Sequence, residues 1–393
     1  MIRRVVVAMS GGVDSAVTAL LLKNKGFRII GVFMKNWDIR DETEKCIVEK
    51  DYDDARWICD KLEIPSIQID FVKEYWNEVF SDLLEKYQNG YTPNPDILCN
   101  KNIKFDKFFH LARNKFQADA IATGHYAKTS FGPYLENYKA NTSKYFILNV
   151  RLLQAQDSNK DQTFFLSQIP QQTLRHCMFP LGNYLKNHVK LMATQAGLCQ
   201  IVRKKESMGL CFVGKRDFQD FISEYIADKP GDYIDLDSGL LIGKHDGIHK
   251  WTIGQRCKIA GCLKPYYVFS KDHGSNTITV VRAGTTHSAL YTNFLITEKI
   301  YWISEEPCEL RQTNSVLNCN FRFQHRNPLI ACRVYKMSSD RLFIRLAAPL
   351  RAITKGQYAV LYSGEECLGS SMISYAGPSY FALGQLYKLH SLP

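Results

Sequence analysis

The first 130 residues alternate short apolar runs with stretches of helical periodicity. Arg4–Met9 is an apolar, β-branched run that predicts a buried parallel strand, and the helical spacing that follows it ends at Gly26. The same patterns predict further strands and helices at Phe27–Met34, Glu44–Leu62, Pro65–Asp70, Tyr75–Leu84 and Ala118–Thr123. This alternation predicts an α/β fold with a doubly wound parallel sheet, in which ligands bind beyond the carboxyl ends of the strands.

The pattern becomes that of an all-β structure after Pro230. Short runs alternate apolar and polar residues and are separated by turn sequences such as Asp237-Ser238-Gly239. The C-terminal runs are Val316–Arg322, Ala331–Tyr335, Leu342–Leu346, Tyr358–Tyr362 and Met372–Tyr375. We therefore expect an α/β domain over residues 1–200, a small β-rich middle domain over 201–288 and an antiparallel β-barrel over 289–393.

The glycine turn SGGVDS, residues 10–15, separates the first predicted strand from the first predicted helix. Gly11 and Gly12 permit a sharp turn and close approach of a ligand, and the N–H groups of the first helical turn favour an anion. The Asp14 carboxylate suits a divalent cation that accompanies phosphate, or it caps the helix. The loop differs from GxxxxGK[ST], because no lysine follows its glycines.

A stretch with two prolines, Tyr91–Lys101, combines an acid with a thiol. We expect the prolines to prevent a helix and to stiffen a loop in which Asp96 precedes Cys99 by three residues. A rigid loop with this pair is a plausible catalytic arrangement. A turn that merely buries a cysteine is the alternative, and these residues alone leave both open.

Cys211 lies in a glycine-flanked turn with basic residues nearby, which favour the reactive thiolate. These basic residues are Arg203, Lys204, Lys205, Lys215 and Arg216. The chain has 12 cysteines and no CxxC pair, and it has no recognisable signal peptide. Both observations favour reduced thiols, most of them small buried hydrophobic residues.

The composition excludes some classes of protein and leaves others open. The net charge of +11 over 393 residues fits a polyanionic partner such as RNA, although solubility alone can explain it. No apolar run is long enough to span a bilayer, so we expect no membrane association. No cleavable transit segment is recognisable either, so import into an organelle would depend on a weaker signal or a longer precursor.

A series of motifs along nearly the whole chain resembles those of the tRNA-specific 2-thiouridylases. They are SGGVDS (10–15), GVFMKNW (31–37), TPNPD (92–96), CNK (99–101), ATGHYA (122–127), KDQ (160–162), GLCF (209–212), TIGQR (252–256) and AITKGQ (352–357). The first of them resembles the pyrophosphate loop of ATP pyrophosphatases. The segment KEYWNEVFSD (73–82) is most similar to the mitochondrial branch. The resemblance implies an adenine nucleotide alpha hydrolase-like α/β domain.

The resemblance implies that ATP, with Mg²⁺, adenylates the C2 oxygen of the wobble uridine at position 34 in tRNAs for Lys, Glu and Gln. Sulfur would then replace this oxygen. It would arrive as a persulfide on Cys211, from a donor protein downstream of a cysteine desulfurase. Cys99 would attack the persulfide to release sulfide, or attack the activated C2 itself. Both routes end in a Cys99–Cys211 disulfide that a thiol reductant must reduce, with Asp96 as general acid/base.

The resemblance also implies the binding residues. The residues expected at ATP are Ala8, Met9, Ser10, Gly11, Gly12, Val13, Asp14 and Ser15 around the phosphates, with Met34 and Gly124 lining the adenosine pocket. The residues expected at tRNA are Asn94, Pro95, Asp96, His125, Lys160, Asp161, Gln162, Arg322, Phe323 and Gln357. Asn94 and Pro95 would touch the flipped base. Phe323 stands where the family has tyrosine, and Met208 and Leu210 stand where bacterial members usually have threonine and isoleucine.

Two other functions remain open on the sequence. A small-molecule ATP pyrophosphatase would share the glycine turn but would not explain two motif-embedded cysteines or a β-rich C-terminal third. A non-catalytic tRNA-binding protein would not need Asp96, Cys99 and Cys211. A bound iron–sulfur cluster could replace the persulfide, but it generally requires three clustered cysteines and only two stand out. We expect a mitochondrial location, with the cytoplasm of a bacterium as the alternative.

Overall fold

The computed structural model describes residues 2–38, 47–138, 149–204, 213, 216–282, 287–312 and 315–384. Its first twelve strands are β1 (Arg4–Met9), β2 (Arg28–Lys35), β3 (Ser66–Asp70), β4 (Ala120–Ala122), β5 (Lys128–Thr129), β6 (Leu152–Leu153), β7 (Cys177–Met178), β8 (Gly231–Asp235), β9 (Leu241–His245), β10 (Arg256–Cys257), β11 (Tyr266–Asp272) and β12 (Thr277–Arg282). The remaining strands are β13 (Tyr291–Lys299), β14 (Tyr301–Trp302), β15 (Leu317–Arg322), β16 (Ile330–Lys336), β17 (Arg341–Arg351), β18 (Tyr358–Ser363) and β19 (Glu366–Ala376).

The helices of the described residues lie almost entirely in the first half of the chain. They are α1 (Val13–Asn24), α2 (Ile47–Lys61), α3 (Val72–Tyr75), α4 (Ser81–Gln88), α5 (Pro95–Leu98), α6 (Phe108–Phe116), α7 (Thr163–Leu166), α8 (Gln171–Leu174), α9 (Lys186–Gln195), α10 (Cys199–Val202) and α11 (Phe218–Ser223). π-Helical segments over Trp76–Phe80 and Cys99–Lys107 join α3 to α4 and α5 to α6. Short 3₁₀ turns lie at Ile248–Lys250, Ser288–Leu290, Cys308–Arg311 and Ser338–Asp340.

A five-stranded parallel sheet, in the order β3-β2-β1-β4-β7, confirms the predicted doubly wound α/β fold. Val5, Val6 and Val7 of the central β1 are 0% exposed. A parallel strand covered on both faces is apolar throughout, which explains the continuous run in the sequence. β7 was not predicted, because its two residues are too few to show a period. The strand order reverses at β1, so the ligand-binding crevice of this fold lies at its carboxyl end.

The second sheet, in the order β10-β11-β12-β8-β9, forms the β-rich middle region. It encloses its own apolar cluster, which includes Tyr233, Val268, Ile278 and Val280. A cluster of this kind is expected for a unit with its own core.

The C-terminal strands form a closed antiparallel barrel in the order β13-β17-β16-β15-β18-β19, which the pairing of β13 with β19 closes. Leu295, Phe321, Val334, Ile344 and Leu361 fill its interior and are 0% exposed. This confirms the predicted barrel, to which the structure adds β13 at Tyr291–Lys299. Closure leaves the main barrel strands without a free edge.

The barrel is joined directly to the α/β region. The strands β5 and β6 pair with each other and flank residues 131–150, of which residues 139–148 lie outside the described residues. β6 also pairs with β19, with Cys367 opposite Leu152. Because one sheet therefore runs from one region into the other, barrel residues can reach the carboxyl edge of the parallel sheet.

The prediction that Tyr91–Lys101 is a non-helical loop is wrong from residue 95 onward. Pro95 begins α5, and the Asn94 side chain accepts a 3.4 Å hydrogen bond from the Ile97 N–H as its cap. Proline is well tolerated at the first helical position, because its missing N–H would have no partner there and its fixed φ suits a helix. Asp96 and Cys99 therefore lie one helical turn apart, on the same face.

Candidate active site

The glycine turn lies at the carboxyl end of β1, where the strand order reverses. Gly11 has φ of +69°, and a Cβ there would collide with the Asp51 carbonyl oxygen of α2. Only glycine fits this position. A Cβ on Gly12 would approach only the Ser10 hydroxyl, at 3.4 Å, so the space beside Gly12 is open. The turn thus combines tight packing on one side with room for a ligand on the other.

Ser15 holds the turn in shape from inside the protein. Its hydroxyl is 2% exposed, accepts the Ser10 N–H at 3.2 Å and donates to the Gly12 carbonyl at 3.1 Å. The cap of α1 is Gly12, so no side chain of the cap residue occupies the N–H groups of the first turn. Unlike Ser10, which is exposed, Ala8, Met9 and Val13 place their side chains in the core. Any contact that these three make with a nucleotide would use their backbone.

Asp14 pairs with a lysine that the sequence analysis did not identify. Both carboxylate oxygens lie 2.7 Å from the Lys186 ammonium nitrogen, and the Tyr126 hydroxyl donates to one of them at 2.9 Å. Lys186 begins α9, and its side chain is 9% exposed. No local spacing links positions 14 and 186, so only the fold reveals this pair. The turn lacks a lysine of its own, and the fold supplies one.

Gly124 and Met34 lie on the same edge of the sheet as the glycine turn. A Cβ on Gly124 would lie 2.8 Å from the Ser15 nitrogen, so the loop after β4 packs directly on the start of α1. Met34 is near the carboxyl end of β2 and is half-buried. Both residues therefore lie at the edge of the sheet where the family resemblance implies the adenosine pocket.

His125 is a buried, neutral residue. Its ring is 9% exposed, and Nδ1 lies 2.8 Å from the Thr123 hydroxyl. Burial, with a smaller effect from the positive charge of Lys104, holds the pKa of His125 well below its usual value. A contact between this side chain and RNA would therefore depend on a neutral imidazole rather than on charge.

Asp96 is an exposed residue on the first turn of α5. The protein around it nevertheless desolvates the carboxylate and raises its pKa. The positive charge of Lys104, and to a smaller extent His325, opposes this shift without cancelling it. Cys99, on the next turn of the helix, is buried and only 5% exposed. A carboxyl group with a raised pKa is suited to general acid/base chemistry near neutral pH.

The helix that carries Asp96 and Cys99 packs against the loop beside the glycine turn. The ring of Phe105, in the π-helical segment that begins at Cys99, lies 5.8 Å from the His125 ring, centre to centre. His125 directly follows Gly124, which packs on the first turn of α1. The acid, the neighbouring thiol and the glycine turn therefore lie on elements that pack against one another. The sequence analysis missed Lys104 as well as His325, a residue of the β15–β16 loop of the barrel.

Several residues expected at tRNA lie at the joint between the barrel and the α/β region. Asp161 is 1% exposed and accepts hydrogen bonds from the Ala155 N–H at 3.1 Å and the Thr163 hydroxyl at 2.8 Å. Arg322 is 8% exposed, and one of its nitrogens lies 3.6 Å from Asp161. Phe323 is 1% exposed and stacks on Phe321. These three side chains are buried in this conformation, so direct contact with RNA would require them to become exposed.

The remaining residues expected at tRNA differ in exposure. The side-chain Oε1 of Gln162 accepts a hydrogen bond from the Tyr126 N–H at 3.0 Å. The side-chain Nε2 of Gln357 donates to the Thr92 carbonyl. Lys160, like Asn94, is partly exposed, whereas Pro95 is buried. Gln162 and Gln357 are partly exposed as well, so Pro95 alone of these five residues is buried.

Cys211 and its neighbours at 205–212 lie outside the described residues. On the near side, Lys204 forms ion pairs with Asp51 and with Asp54, the latter at 2.7 Å, both on α2. On the far side, Val213 is 7% exposed and belongs to the core of the α/β region. The described residues on each side of Cys211 are therefore attached to that region, and Asp51 also packs against Gly11.

The described residues contain neither a candidate metal cluster nor a membrane-spanning helix. No group of three or more His, Cys, Asp or Glu side chains among them is arranged to bind a metal ion. No helix in the described part of the chain is both long and apolar enough to cross a bilayer.

The two basic residues Arg322 and Lys160 are expected to respond differently to replacement by alanine. Arg322→Ala should lower the free energy of unfolding by about 2–4 kcal/mol, because it removes the cation beside a buried carboxylate. It should leave the salt dependence of tRNA binding unchanged.

Lys160→Ala should reduce the slope of log K against log salt by about 0.7–0.9 if the ammonium contacts one phosphate. Thermal unfolding and titrations at several salt concentrations measure both; a reduced slope in stable Arg322→Ala protein would contradict the assignment.

Comparison with known proteins identifies similar chains over almost the whole length. Family models described as tRNA methyl transferase HUP domain, tRNA methyl transferase PRC-barrel domain and aminomethyltransferase beta-barrel domain match residues 3–215, 219–282 and 292–373. The chain is 48% identical to the mitochondrial tRNA-specific 2-thiouridylase 1 of Drosophila melanogaster, covering 96% of this chain and 95% of that one. Identity to the human protein of the same name is 45%, covering 97% and 93%. Identity to the tRNA-specific 2-thiouridylase MnmA of Alkaliphilus oremlandii is 42%, covering 94% and 96%.

Proposed function

Because the chain belongs to the tRNA-specific 2-thiouridylase family, we propose that it thiolates the wobble uridine of tRNAs for Lys, Glu and Gln at the site described above. The chain is an enzyme of the mitochondrial type, as the sequence predicted. The observation that carries the proposed site is the packing of Phe105, in the segment that begins at Cys99, against His125, which directly follows Gly124 and so joins the helix that carries Asp96 and Cys99 to the glycine turn.

The glycine turn suits the phosphates of ATP. The open space beside Gly12 would accept a phosphate, the first N–H groups of α1 favour an anion, and the Lys186 ammonium adds a nearby cation. Met34 and Gly124 would border the adenosine. Mg²⁺, when bound with ATP, would neutralise phosphate charge, and Asp14 is the acidic residue in the turn suited to accompany it. The role of Lys186 is to hold Asp14 and to face the polyphosphate.

Asp96 supports the first chemical step. The C2 oxygen of uridine attacks the α-phosphate of ATP, pyrophosphate leaves, and the uridine loses its N3 proton as the adenylate forms. A carboxylate with a raised pKa can accept that proton. Asn94 and Pro95 precede it at the helix start and would contact the flipped base. Lys160 would bind the tRNA backbone, while Asp161, Gln162, Arg322 and Phe323 would hold the surface that receives it.

Two thiols perform the sulfur transfer. A donor protein, supplied by a cysteine desulfurase, delivers sulfur to Cys211 as a persulfide. The Cys99 thiolate attacks the Sγ of Cys211, the Cys99–Cys211 disulfide forms and hydrosulfide leaves. Hydrosulfide then attacks C2 of the adenylated uridine and AMP departs. In the alternative route, the terminal sulfur of the persulfide attacks C2 and AMP departs; the Cys99 thiolate then attacks the Sγ of Cys211, which releases 2-thiouridine and forms the Cys99–Cys211 disulfide. A thiol reductant restores both cysteines in each case.

Three regions would share these tasks. We propose a catalytic domain over residues 1–200, a tRNA-contacting middle domain over 201–288 and the barrel over 289–393. The barrel would complete the site, because Arg322, His325 and Gln357 all reach the α/β region from it.

Product analysis with and without tRNA tests the proposal. Incubation with ATP, Mg²⁺, a persulfide donor and unmodified tRNA should yield AMP, pyrophosphate and 2-thiouridine. Omission of tRNA should abolish pyrophosphate release. Pyrophosphate release that depends on a small molecule instead would favour the small-molecule pyrophosphatase, and tRNA binding without AMP formation would favour the non-catalytic binding protein.

A further inference from the structure

We infer that the barrel turn Lys355–Gln357 is a positioning element for the helix that carries Asp96 and Cys99, an inference that rests on the proposed function. The family resemblance places Gln357 at tRNA. In the structure its side-chain amide instead bonds to the protein backbone immediately before that helix. The turn therefore acts through other residues and need not touch the substrate.

The turn fixes both backbone polar groups of Thr92. The Gln357 Nε2 donates to the Thr92 carbonyl at 2.9 Å and approaches the Pro93 carbonyl at 3.5 Å. The Thr92 N–H donates in return to the Lys355 carbonyl at 2.9 Å. Two oppositely directed hydrogen bonds define the position of this residue much more tightly than a single bond would.

Close packing reinforces these bonds. Gly356 has φ of +96°, and a Cβ there would lie 2.9 Å from both the Thr92 nitrogen and the Tyr91 Cβ. The Lys355 ammonium lies 4.3 Å from the centre of the Tyr91 ring, a cation–π contact. The turn and the chain at 91–92 are therefore in direct backbone contact, which only glycine at 356 permits.

The turn is rigid because the barrel holds it. The Gly356 N–H donates to the Ile373 carbonyl at 3.0 Å, and the Ile373 N–H donates to the Gln357 carbonyl at 2.7 Å. Ile373 belongs to β19, is 0% exposed and packs in the barrel interior. These hydrogen bonds thereby fix the position of Thr92 relative to the core of the barrel.

A short, stiff segment, residues 92–95, connects the fixed Thr92 to the start of α5, so the position of Thr92 determines that of the helix. Thr92 and Pro93 are buried, Asn94 caps α5 and Pro95 begins it. Proline fixes φ at both 93 and 95, so few rotations remain between Thr92 and Asp96. A displacement of about 1 Å at reacting groups can lower a rate by about a hundredfold. Loosening the turn should therefore misplace Asp96 and Cys99 without removing either.

Steady-state kinetics of Gln357→Met and Gln357→Glu test the inference. Methionine removes the donor at similar length, and glutamate keeps the shape but presents a carboxylate to two carbonyls. We expect kcat for 2-thiouridine formation to fall by about 10–100-fold in both variants, with KM for tRNA within twofold of wild type. Gln88→Met is the matched control, because Gln88 is an exposed glutamine close in sequence to Tyr91. It should behave as wild type.

Whether the variants change kcat or KM for tRNA distinguishes a positioning residue from an RNA contact. A rise in KM for tRNA above about fivefold in both variants, with kcat retained, would identify Gln357 as an RNA contact and overturn the inference. Wild-type kcat in either variant would also overturn it, because the donated hydrogen bonds would then be dispensable. Assays at temperatures well below the unfolding midpoint of each variant exclude loss of fold as the cause of a lower kcat. Failure of the proposed function itself is distinguishable, because wild-type enzyme would then form no 2-thiouridine.

Discussion

Replacing Cys99 by serine is expected to lower 2-thiouridine formation more than about a thousandfold while a single turnover of tRNA-dependent pyrophosphate release persists. Cleavage of a persulfide requires a thiolate, and a serine hydroxyl does not ionise near neutral pH. Adenylation needs neither thiol, because the uridine oxygen is its nucleophile. Cys211→Ser should give the same result, since it removes the persulfide carrier. Nucleoside mass spectrometry and a pyrophosphate assay on the same samples separate the two steps.

The location of the sulfur gives an independent check. After loading with labelled sulfur, the persulfide should appear on Cys211, and one turnover without reductant should leave a Cys99–Cys211 crosslink. Such a crosslink requires the two Cα atoms to come within about 7 Å. Cys99 is 5% exposed, and basic residues that favour the thiolate flank Cys211 in the sequence. We therefore expect Cys211 to react first with an alkylating agent. Sulfur on another residue, together with thiolation by Cys211→Ser, would refute this mechanism.

Cys177 and Cys257 provide matched controls for both experiments. The Cys177 thiol donates to the Thr173 carbonyl at 3.1 Å, and burial holds its pKa well above the usual value. Burial raises the pKa of Cys257 to about 12. Both thiols therefore remain protonated and poorly reactive. Serine at either position should lower stability by about 1 kcal/mol and leave thiolation intact.

Gly12→Val is expected to abolish tRNA-dependent pyrophosphate release and to leave folding cooperative. Residue 12 has φ of −101° and ψ of 164°, which suits a β-branched residue, and the space beside it is open. The new methyl groups would occupy the region proposed for phosphate. Each lost hydrogen bond to a charged phosphate weakens binding by about 1.5–3 kcal/mol, or about ten- to a hundredfold. Calorimetric titration with ATP and a pyrophosphate assay measure the effect.

Lys186→Met provides a second variant at the same site. It should weaken ATP binding more than AMP binding, because AMP lacks the β- and γ-phosphates that the ammonium would face. The Asp14 carboxylate that remains is one-third exposed and keeps the Tyr126 hydroxyl, so the fold should survive. Asp14→Ala is less suitable, because removing the carboxylate from a buried ion pair is expected to cost about 3 kcal/mol or more. Lys61→Met, at an exposed lysine of α2, is the control. Unchanged ATP affinity in Gly12→Val would disprove the nucleotide assignment.

The order of the secondary structure could be predicted because each element carries its own period. Val5–Val7 are apolar in succession since β1 is covered on both faces, and the barrel strands alternate since one face of each points inward. The helix at Pro95 was missed for a local reason, namely that proline breaks helix interiors but suits helix starts. β7 was missed because two residues show no periodicity.

The sequence by itself determined the family, the doubly wound sheet, the barrel and the motifs that contain the glycine turn, Asp96 and the two cysteines. These features depend on residue type and short spacing, which the chain displays directly. The tertiary structure alone decided that Lys186 pairs with Asp14, that Phe105 packs against His125, and that Gln357 holds Thr92. It also placed Asp161, Arg322 and Phe323 in a buried joint between the barrel and the α/β region. Burial and partnership between residues far apart in sequence arise only when separate elements pack, so no local pattern encodes them.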